Sequence, residues 1–589
     1  MATATRQSSL KYGLDTHFSA STRKIPEQRA YSHQESIGGD SSNQASNGRH
    51  AKPLPTWKAL GICAFAGFGG ILFGYDTGYI NGVMAMPFFE NLYLQHTPSL
   101  AAPGAPRAAP AWFRLPGKDK SLIVGLLSAG TCVGSILGSD AADYLGRRAA
   151  MIIACVVFIW GVVDQTVSVH MDLLGRGRFE TGLGMGMVST VIILYLSEIS
   201  PAPFRGVMVA FYQLSITLGL LISACVNLGT RDIWNKGSYR IPISLQLVWA
   251  VILAVGLIFL PESPRWYVKQ GKLDRAQTAL ARLRCQPEDA DSVRAELHDI
   301  VASYDHEMSM SPPGTDTYWG SWANCFRGPW KQRGSNVRRT LLAAAVQMFQ
   351  QISGVNFIFY FGTAFFKQQR FDNVFVIVVV MSAINVGSTI VSFYLVNICR
   401  RRTLLMAGSV AMAVCQIAVA VAALIWKGSP RNETPDVRGL APSERQPAWT
   451  FWTTMTGVGV YLFFYATTWG PGAWIITGEI FPLQVRARGV GLATSTNWLW
   501  NTIISFLTPV LVDSDHWNLG PTVFLIWGGA CLLGCAFTYW FVPETKGLTL
   551  EQVDLIFEVS ARKSSSWVPP EHMARRYSTC LRKYDSALK

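Results

Sequence analysis

The segment Glu198-Ile-Ser-Pro-Ala-Pro-Phe-Arg205 returns later in the chain as Glu479-Ile-Phe-Pro-Leu-Gln-Val-Arg486, sharing the pattern E-x-x-P-x-x-x-R at a separation of 479 − 198 = 281 residues. A second pair, Pro261-Glu262-Ser263 and Pro543-Glu544-Thr545, repeats at 543 − 261 = 282. Arg147-Arg148 and Arg401-Arg402 repeat at 401 − 147 = 254, and a longer loop around 427–450 in the second half accounts for the shortfall. Two independent motifs with nearly one offset read as a parallel duplication.

Each copy of the motif sits among long apolar runs. Of 589 residues, 50% are hydrophobic and only 15% are charged, with a mean hydropathy of +0.23. Soluble domains carry about 25% charged residues, so this chain cannot clothe several globules in ionic side chains. A bilayer core of about 30 Å calls for roughly 20 apolar residues per helix, with every backbone polar group satisfied inside the segment. Candidate spans fall at 58–84, 121–140, 149–169, 173–197, 206–229 and 243–261, then at 338–366, 374–398, 403–426, 451–478, 488–512 and 521–541. The reading is an all-α integral membrane protein of twelve transmembrane helices in two six-helix halves. Parallel six-helix repeats place a substrate site at the midplane between them, and access alternates as one half rocks against the other.

The expected organisation is a disordered tail over 1–56, a first bundle over 57–261, a linker with short helices over 262–337, a second bundle over 338–545 and a tail over 546–589. The first tail is rich in Ser, Gln, Arg and Gly and lacks the apolar core and cleavage site of a signal peptide. Arg147-Arg148, Arg205, Arg265 to Lys272, Arg338-Arg339, Arg400 to Arg402 and Arg486/Arg488 all fall on one side. By the positive-inside rule that side is the cytosol, which holds both termini. Asn432-Glu-Thr is a glycosylation sequon on the opposite side, weakened by the following Pro435.

Other functions fall away. The net charge is +14, but the basic residues form short clusters between apolar runs, so no nucleic-acid partner is expected. Eleven cysteines lie mostly in apolar runs without metal-ligand spacing. No phosphate-binding loop or nucleophile–base pair is visible, so neither an ATP-driven pump nor an enzyme is expected. Gly182-Leu-Gly184-Met-Gly186 lies inside an apolar span and reads as close helix packing.

Polar residues inside the spans carry the function. Asp76 in the first span needs a partner or a role, since an ionised carboxylate there costs roughly 2.5–3.5 kcal/mol on insertion scales. Arg178, at the start of the fourth span, is its natural partner. Loss of the Arg contact in another conformation favours protonation, as a coupling switch requires; a static ion pair is the alternative. Amides both donate and accept hydrogen bonds, so several of them inside apolar spans suit a neutral solute rich in hydroxyls. Gln213, Gln350, Gln351, Asn356, Asn385 and Asn497 are such amides, and Gln350 and Asn356 lie close to two turns apart on one expected helix. Trp474 follows Gly470-Pro471-Gly472, a combination able to break the helix and set an indole over the apolar face of a bound ring. Tyr360, Trp498 and Phe357 are further aromatics. On the cytosolic face, Asp143 with Arg147 and Arg148, Glu198 with Arg205, and Glu479 with Arg486 or Arg488 are candidate gate pairs that break as the halves rock.

Gly74-Tyr-Asp-Thr-Gly78, Asp143-x-x-Gly-Arg147-Arg148, Glu198 to Gly206, Pro261-Glu-Ser-Pro-Arg265, Gln350-Gln-Ile-Ser-Gly-Val-Asn356 and Pro543-Glu-Thr-Lys-Gly547 stand in an order that resembles the sugar-porter family of the major facilitator superfamily, over about 57–558. The wording of Gly67 to Gly82 and Gly354 to Gly362 looks most like fungal high-affinity hexose transporters. The resemblance implies the major facilitator fold, proton coupling through Asp76 with Arg178 as modulator, and sugar contacts at all six amides. No cofactor is expected, with protons as the coupling ion. The expected function is plasma-membrane import of a monosaccharide, glucose first, by a chain that functions as a monomer in the lipid bilayer. A facilitative uniporter and a transporter-like glucose sensor are the alternatives. Three departures stand out: Glu180 where the family is usually apolar, Tyr360-Phe361 where many members have two tyrosines, and Asn397 with Arg400 to Arg402 where an acidic residue usually precedes Gly-Arg-Arg.

Overall fold

Apolar stretches long enough to cross a bilayer fold as helices because only a helix satisfies its own backbone there. The computed structural model describes residues 57–559 apart from 90–91, 93–116, 202–203, 310–316, 330–334, 369–372, 429–447, 513–516, 518 and 549. Asn432, the 1–56 tail and residues after 559 lie outside the described residues.

The first half comprises α1 (Trp57–Gly67), α2 (Gly70–Val83), α3 (Gly117–Leu145), α4 (Arg147–Val167), α5 (Met171–Ile199), α6 (Arg205–Thr230), α7 (Gly237–Ser244) and α8 (Gln246–Phe259). The linker holds α9 (Pro264–Lys269), α10 (Leu273–Arg284), α11 (Asp291–Ser309) and α12 (Tyr318–Asn324). The second half comprises α13 (Asn336–Ile352), α14 (Val355–Gln368), α15 (Val374–Ile398), α16 (Arg401–Gly428), α17 (Ala448–Phe464), α18 (Gly470–Glu479), α19 (Arg486–Val512) and α20 (Phe524–Phe541), followed by α21 (Leu550–Val559). Ten runs, counting α1–α2, α7–α8 and α13–α14 as one each, are long and apolar enough to cross a membrane. Two more, Ala448–Glu479 and α19, have the length and the place in the order, but Thr, Asn, Trp and Arg dilute their hydropathy.

Small residues let the helices approach. Gly130, Gly134 and Gly138 recur every fourth residue on α3, and a Cβ at each would lie 2.2, 2.1 and 2.6 Å from Phe179, Leu183 and Met187 of α5. From the other side, a Cβ on Gly182 or Gly186 would come within 2.3 Å of the Leu127 carbonyl or 2.2 Å of the Thr131 carbonyl. The glycines of α5 are therefore packing surfaces. The halves meet where α3 packs on α19, α6 on α15, and α2 on α14.

Two spans are not regular helices throughout. The seventh breaks between α13 and α14, because Gly354 has φ +91° and a side chain there would collide with Trp527. The Ser353 carbonyl freed by the break accepts bonds from Gln416 Nε2 at 2.7 Å and the Tyr461 hydroxyl at 3.1 Å. Gln350 and Asn356 thus lie on two helices, not one. In the tenth span, Gly470-Pro471-Gly472 does not break the chain. Pro471 sits in the first turn of α18, where its missing N–H is harmless, and the irregularity comes before it as a π turn at Tyr465–Trp469.

Candidate functional site

Between the halves, Phe73, Thr77, Gln213, Ile216, Leu220, Gln350, Gln351, Asn356, Phe359, Tyr465 and Trp474 line a narrow cavity. Five expected sugar contacts, Gln213, Gln350, Gln351, Asn356 and Trp474, line it. A second hollow shares Leu220 and Phe359 with it and reaches Asn81 and Met381 on the side away from the linker. There the Asn81 side chain accepts a bond from the Thr363 amide at 3.1 Å and joins α2 to α14.

The amides form one network. Asn497 donates to Gln347 Oε1 at 2.7 Å and Gln350 Oε1 at 2.9 Å, and accepts from Gln351 Nε2 at 2.6 Å. Asn356 donates to Gln351 Oε1. Gln350 Nε2 donates to the carbonyls of Trp469 at 3.1 Å and Gly470 at 3.0 Å, where the π turn passes into α18. Gln347, which sequence reasoning missed, anchors the network by donating to Thr477 at 2.9 Å. Its signal was a third amide one turn before Gln350. Gln213, by contrast, makes no hydrogen bond among the described residues and faces the cavity beside Gly470. The cavity thus combines fixed amides, one open amide, and the aromatic faces of Phe73, Phe359 and Trp474, which suits a neutral polyhydroxyl ring.

Three expected contacts stand outside the lining. Asn497 is drawn behind it by its three amide partners. Tyr360 accepts from Asn501 at 3.4 Å, and Asn501 accepts from Ser128 at 2.8 Å, tying α14 and α19 to α3. Asn385 on α15 is 1% exposed, and neither end of its amide has a partner. Trp498 packs behind Phe73 at 4.9 Å between ring centres, and Phe357 packs on Phe524, away from the cavity.

One residue from Thr77, Asp76 Oδ1 lies 3.1 Å from Arg178 Nη1, and both side chains are wholly buried. Arg178 also donates to the Tyr79 hydroxyl at 3.0 Å and the Ile123 carbonyl at 3.2 Å. Tyr79 in turn donates to Gln165 at 2.5 Å, and Gln165 donates to Thr181 at 2.5 Å. These polar partners offset the cost of burying two charges. Among the described residues Asp76 Oδ2 and Arg178 Nη2 have no hydrogen-bond partner, so there the pair keeps one free oxygen and one free donor group. Glu180 points outward and pairs with Arg176 at 3.6 Å.

On the linker face the expected pairings are corrected. Glu198 does not take Arg205; it forms a two-pronged bridge to Arg147 at 2.8 and 2.9 Å and accepts from Ser263. Asp143 makes its direct contacts with Lys269 at 2.6 Å and, across the halves, Arg488 at 3.1 Å, while the expected Arg147 acts on it electrostatically without a hydrogen bond and Arg148 does not pair with it. Glu479 is near Arg401 and Arg205 rather than Arg486, whose Nε donates to the Phe481 carbonyl at 3.0 Å. The reason is helix capping. Glu262 accepts the backbone N–H groups of Arg147 and Arg148 at 2.9 and 3.1 Å, and Glu544 does the same for Arg401 and Arg402 at 3.0 and 3.2 Å. Each repeated Pro-Glu therefore neutralises the N-terminus of a repeated Arg-Arg helix. The arginine side chains are left to reach other groups.

A family model described as "Sugar (and other) transporter" matches residues 62–557. The chain belongs to the sugar transporter family. Relatives are a major facilitator-type transporter of Aspergillus rugulosus (40% identical; 87% of this chain, 90% of that protein) and a probable glucose transporter of Neurospora crassa (38%; 85% and 79%). A high glucose sensor of Saccharomyces cerevisiae is 33% identical over 90% of this chain, which spans 65% of the sensor's length. Among solved structures, the proton:xylose symporter XylE bound to 6-bromo-6-deoxy-D-glucose aligns with a TM-score of 0.69 at 23% identity, over 85% of this chain and 99% of that one. The major facilitator fold follows. This sugar transporter is a multi-pass membrane protein and not an enzyme.

Proposed function

We propose that the transporter imports a hexose, glucose foremost, across the plasma membrane by proton-coupled alternating access, acting as a monomer with both termini and the linker in the cytosol. The observation that carries this reading is the buried Asp76–Arg178 pair, one residue from a cavity wall of amides. A proton arriving at the free Asp76 oxygen removes the carboxylate's charge and weakens its hold on Arg178, which is then drawn to Tyr79 and the Ile123 carbonyl. Helices α2 and α5, which carry the pair, also carry Thr77 of the cavity and Glu198 of the linker-face bridges. Proton binding, sugar binding and opening therefore act on the same two elements.

Opening toward the linker requires the Asp143–Arg488 contact between the halves to part. The arginines gathered on that face, Arg147, Arg148, Arg339, Arg401, Arg402, Arg486 and Arg488, support placing it in the cytosol. The name of the Neurospora relative supports glucose, and that of XylE supports protons as the coupling ion.

Uptake of labelled glucose by cells lacking their own hexose carriers tests the reading, with xylose, galactose and fructose as competitors. Saturable uptake displaced best by glucose is expected. No uptake with any of these sugars would favour a sensor, whose Saccharomyces representative is among the relatives. Uptake that never exceeds the outside concentration would favour a uniporter, in which the 3.1 Å Asp76–Arg178 contact is purely structural.

A further inference from the structure

The linker helix α12 lies at the foot of the seam between the halves. On α3, Val133, Leu137, Asp140 and Tyr144 recur at i, i+4, i+7 and i+11 and so share one helix face. Three of them are exposed apolar or aromatic side chains, at 45%, 49% and 57%. On α19, Arg488, Leu492 and Leu499 share a face in the same way, and Leu499 is 49% exposed. In a membrane protein such exposed stripes face lipid. Asp140 and Arg488, 3.5 Å apart, join the two helices near the linker-side ends of these stripes, with Tyr144 one turn beyond Asp140.

Helix α12 is fastened to these two residues. Thr317 caps it by accepting the Gly320 amide at 3.1 Å. The Tyr318 hydroxyl donates to Asp140 at 2.9 Å, and the Arg488 guanidinium sits 5.7 Å from the centre of the Trp322 ring. The turn after the helix is held to the start of α13, where Asn336 donates to the Asn324 carbonyl at 2.9 Å and Thr340 to that of Cys325 at 2.8 Å. With one side thus occupied, α12 and its turn expose Trp319 at 78%, Phe326 at 55% and part of the Tyr318 ring, beside an exposed Arg327. Leu341, just past the Thr340 contact, is 47% exposed. The aromatics thus continue the apolar belt beyond the helix ends, with a cation beside them. Amphipathic aromatics with a basic neighbour suit the headgroup layer.

We propose that residues 317–327 are anchored in the headgroup layer of the linker-side leaflet through Trp319, Phe326 and Tyr318. The lipid surface then holds the linker against the Asp140–Arg488 contact that joins the two halves. The anchor rests on the membrane placement of the family and not on the coupling ion or the sugar, so it stands whichever of those readings holds.

Photo-crosslinking in native membranes tests it on the full chain. The photoreactive amino acid p-benzoylphenylalanine replaces, one at a time, the residues at 319 and 326, with position 137 as a lipid-facing control and position 288, on the exposed linker surface, as a water-facing one. Phospholipid adducts found by mass spectrometry at 319 and 326 at yields within about two-fold of position 137, with none at 288, are expected. Adducts at 319 and 326 no more frequent than at 288 would overturn the proposal. Crosslinks from 319 to a second protein, seen as a heavier band, would also overturn it and assign the patch to a protein partner.

Discussion

Gln213 and Gln350 look alike in the sequence and behave differently in the fold. Both are amides in apolar spans, and residue type alone places both at a sugar site. Gln350 already spends its amide on two carbonyls and on Asn497, whereas Gln213 faces the cavity unbonded. Gln213→Ala should therefore weaken sugar binding by the loss of about one hydrogen bond without orphaning a protein group. That is roughly 1–3 kcal/mol, or about 5- to 150-fold in Kd, with an unchanged melting temperature. Gln350→Ala should lower affinity and melting temperature together, because it frees the carbonyls of Trp469 and Gly470. Competition binding and thermal unfolding of the purified variants check both, and a Gln213→Ala protein of unaltered affinity would remove that amide from the site. Residue chemistry was thus readable before the fold. The partners were not, because Gln347, Thr477 and Tyr79 gain their roles only from which helix they meet.

At the scale of elements, the helices followed from apolar length, while their interruptions did not. Gly354 gave no signal to separate a break from an ordinary packing glycine. The π turn ends at Trp469, whose carbonyl Gln350 reaches from 119 residues away in sequence. The linker helices were expected from charge alternation, but not what α11 does. Its Glu307 accepts the backbone amides of Leu483 at 3.2 Å and Gln484 at 3.1 Å, tying the linker to the loop before α19. Burial pushes this carboxyl up to about 7, helped by Asp554 and opposed by Arg486 and the two amides. Asp554 itself is paired with Arg339.

A carboxyl that holds its proton more tightly folded than unfolded takes up a proton on folding between its ordinary 4.5 and about 7. Its contribution favours the docked linker at the acid end of that window and is lost as pH rises through about 7. Hydrogen exchange of α11 measured from pH 5 to 8 should show protection falling with pH beyond the intrinsic trend. Glu307→Gln should flatten that slope, and an identical slope in the variant would assign the dependence to another group.

Across the whole molecule, the duplication was legible because two motifs with one offset are evidence independent of any structure. The ion pairs between the halves were not, since sequence proximity favours partners such as Glu198 with Arg205, and folding instead brings Arg488 to Asp143 from 345 residues away. Arg488→Ala should release the seam on the linker face and raise the population open to that side. The apparent KM for sugar offered from the opposite side should then rise by the fraction of carriers withdrawn, about 5-fold or more for a charged hydrogen bond of roughly 1.5–3 kcal/mol. An unchanged KM would show that the seam is held elsewhere.

The central claim is that Asp76 couples proton movement to sugar movement. Its most direct test is glucose uptake by proteoliposomes carrying an imposed pH gradient, acid outside, with and without a protonophore. The wild-type chain should accumulate glucose above the outside concentration and lose that accumulation when the protonophore is added. Asp76→Asn should exchange glucose without accumulating it. Accumulation that survives the protonophore, or that persists in Asp76→Asn, would contradict the account.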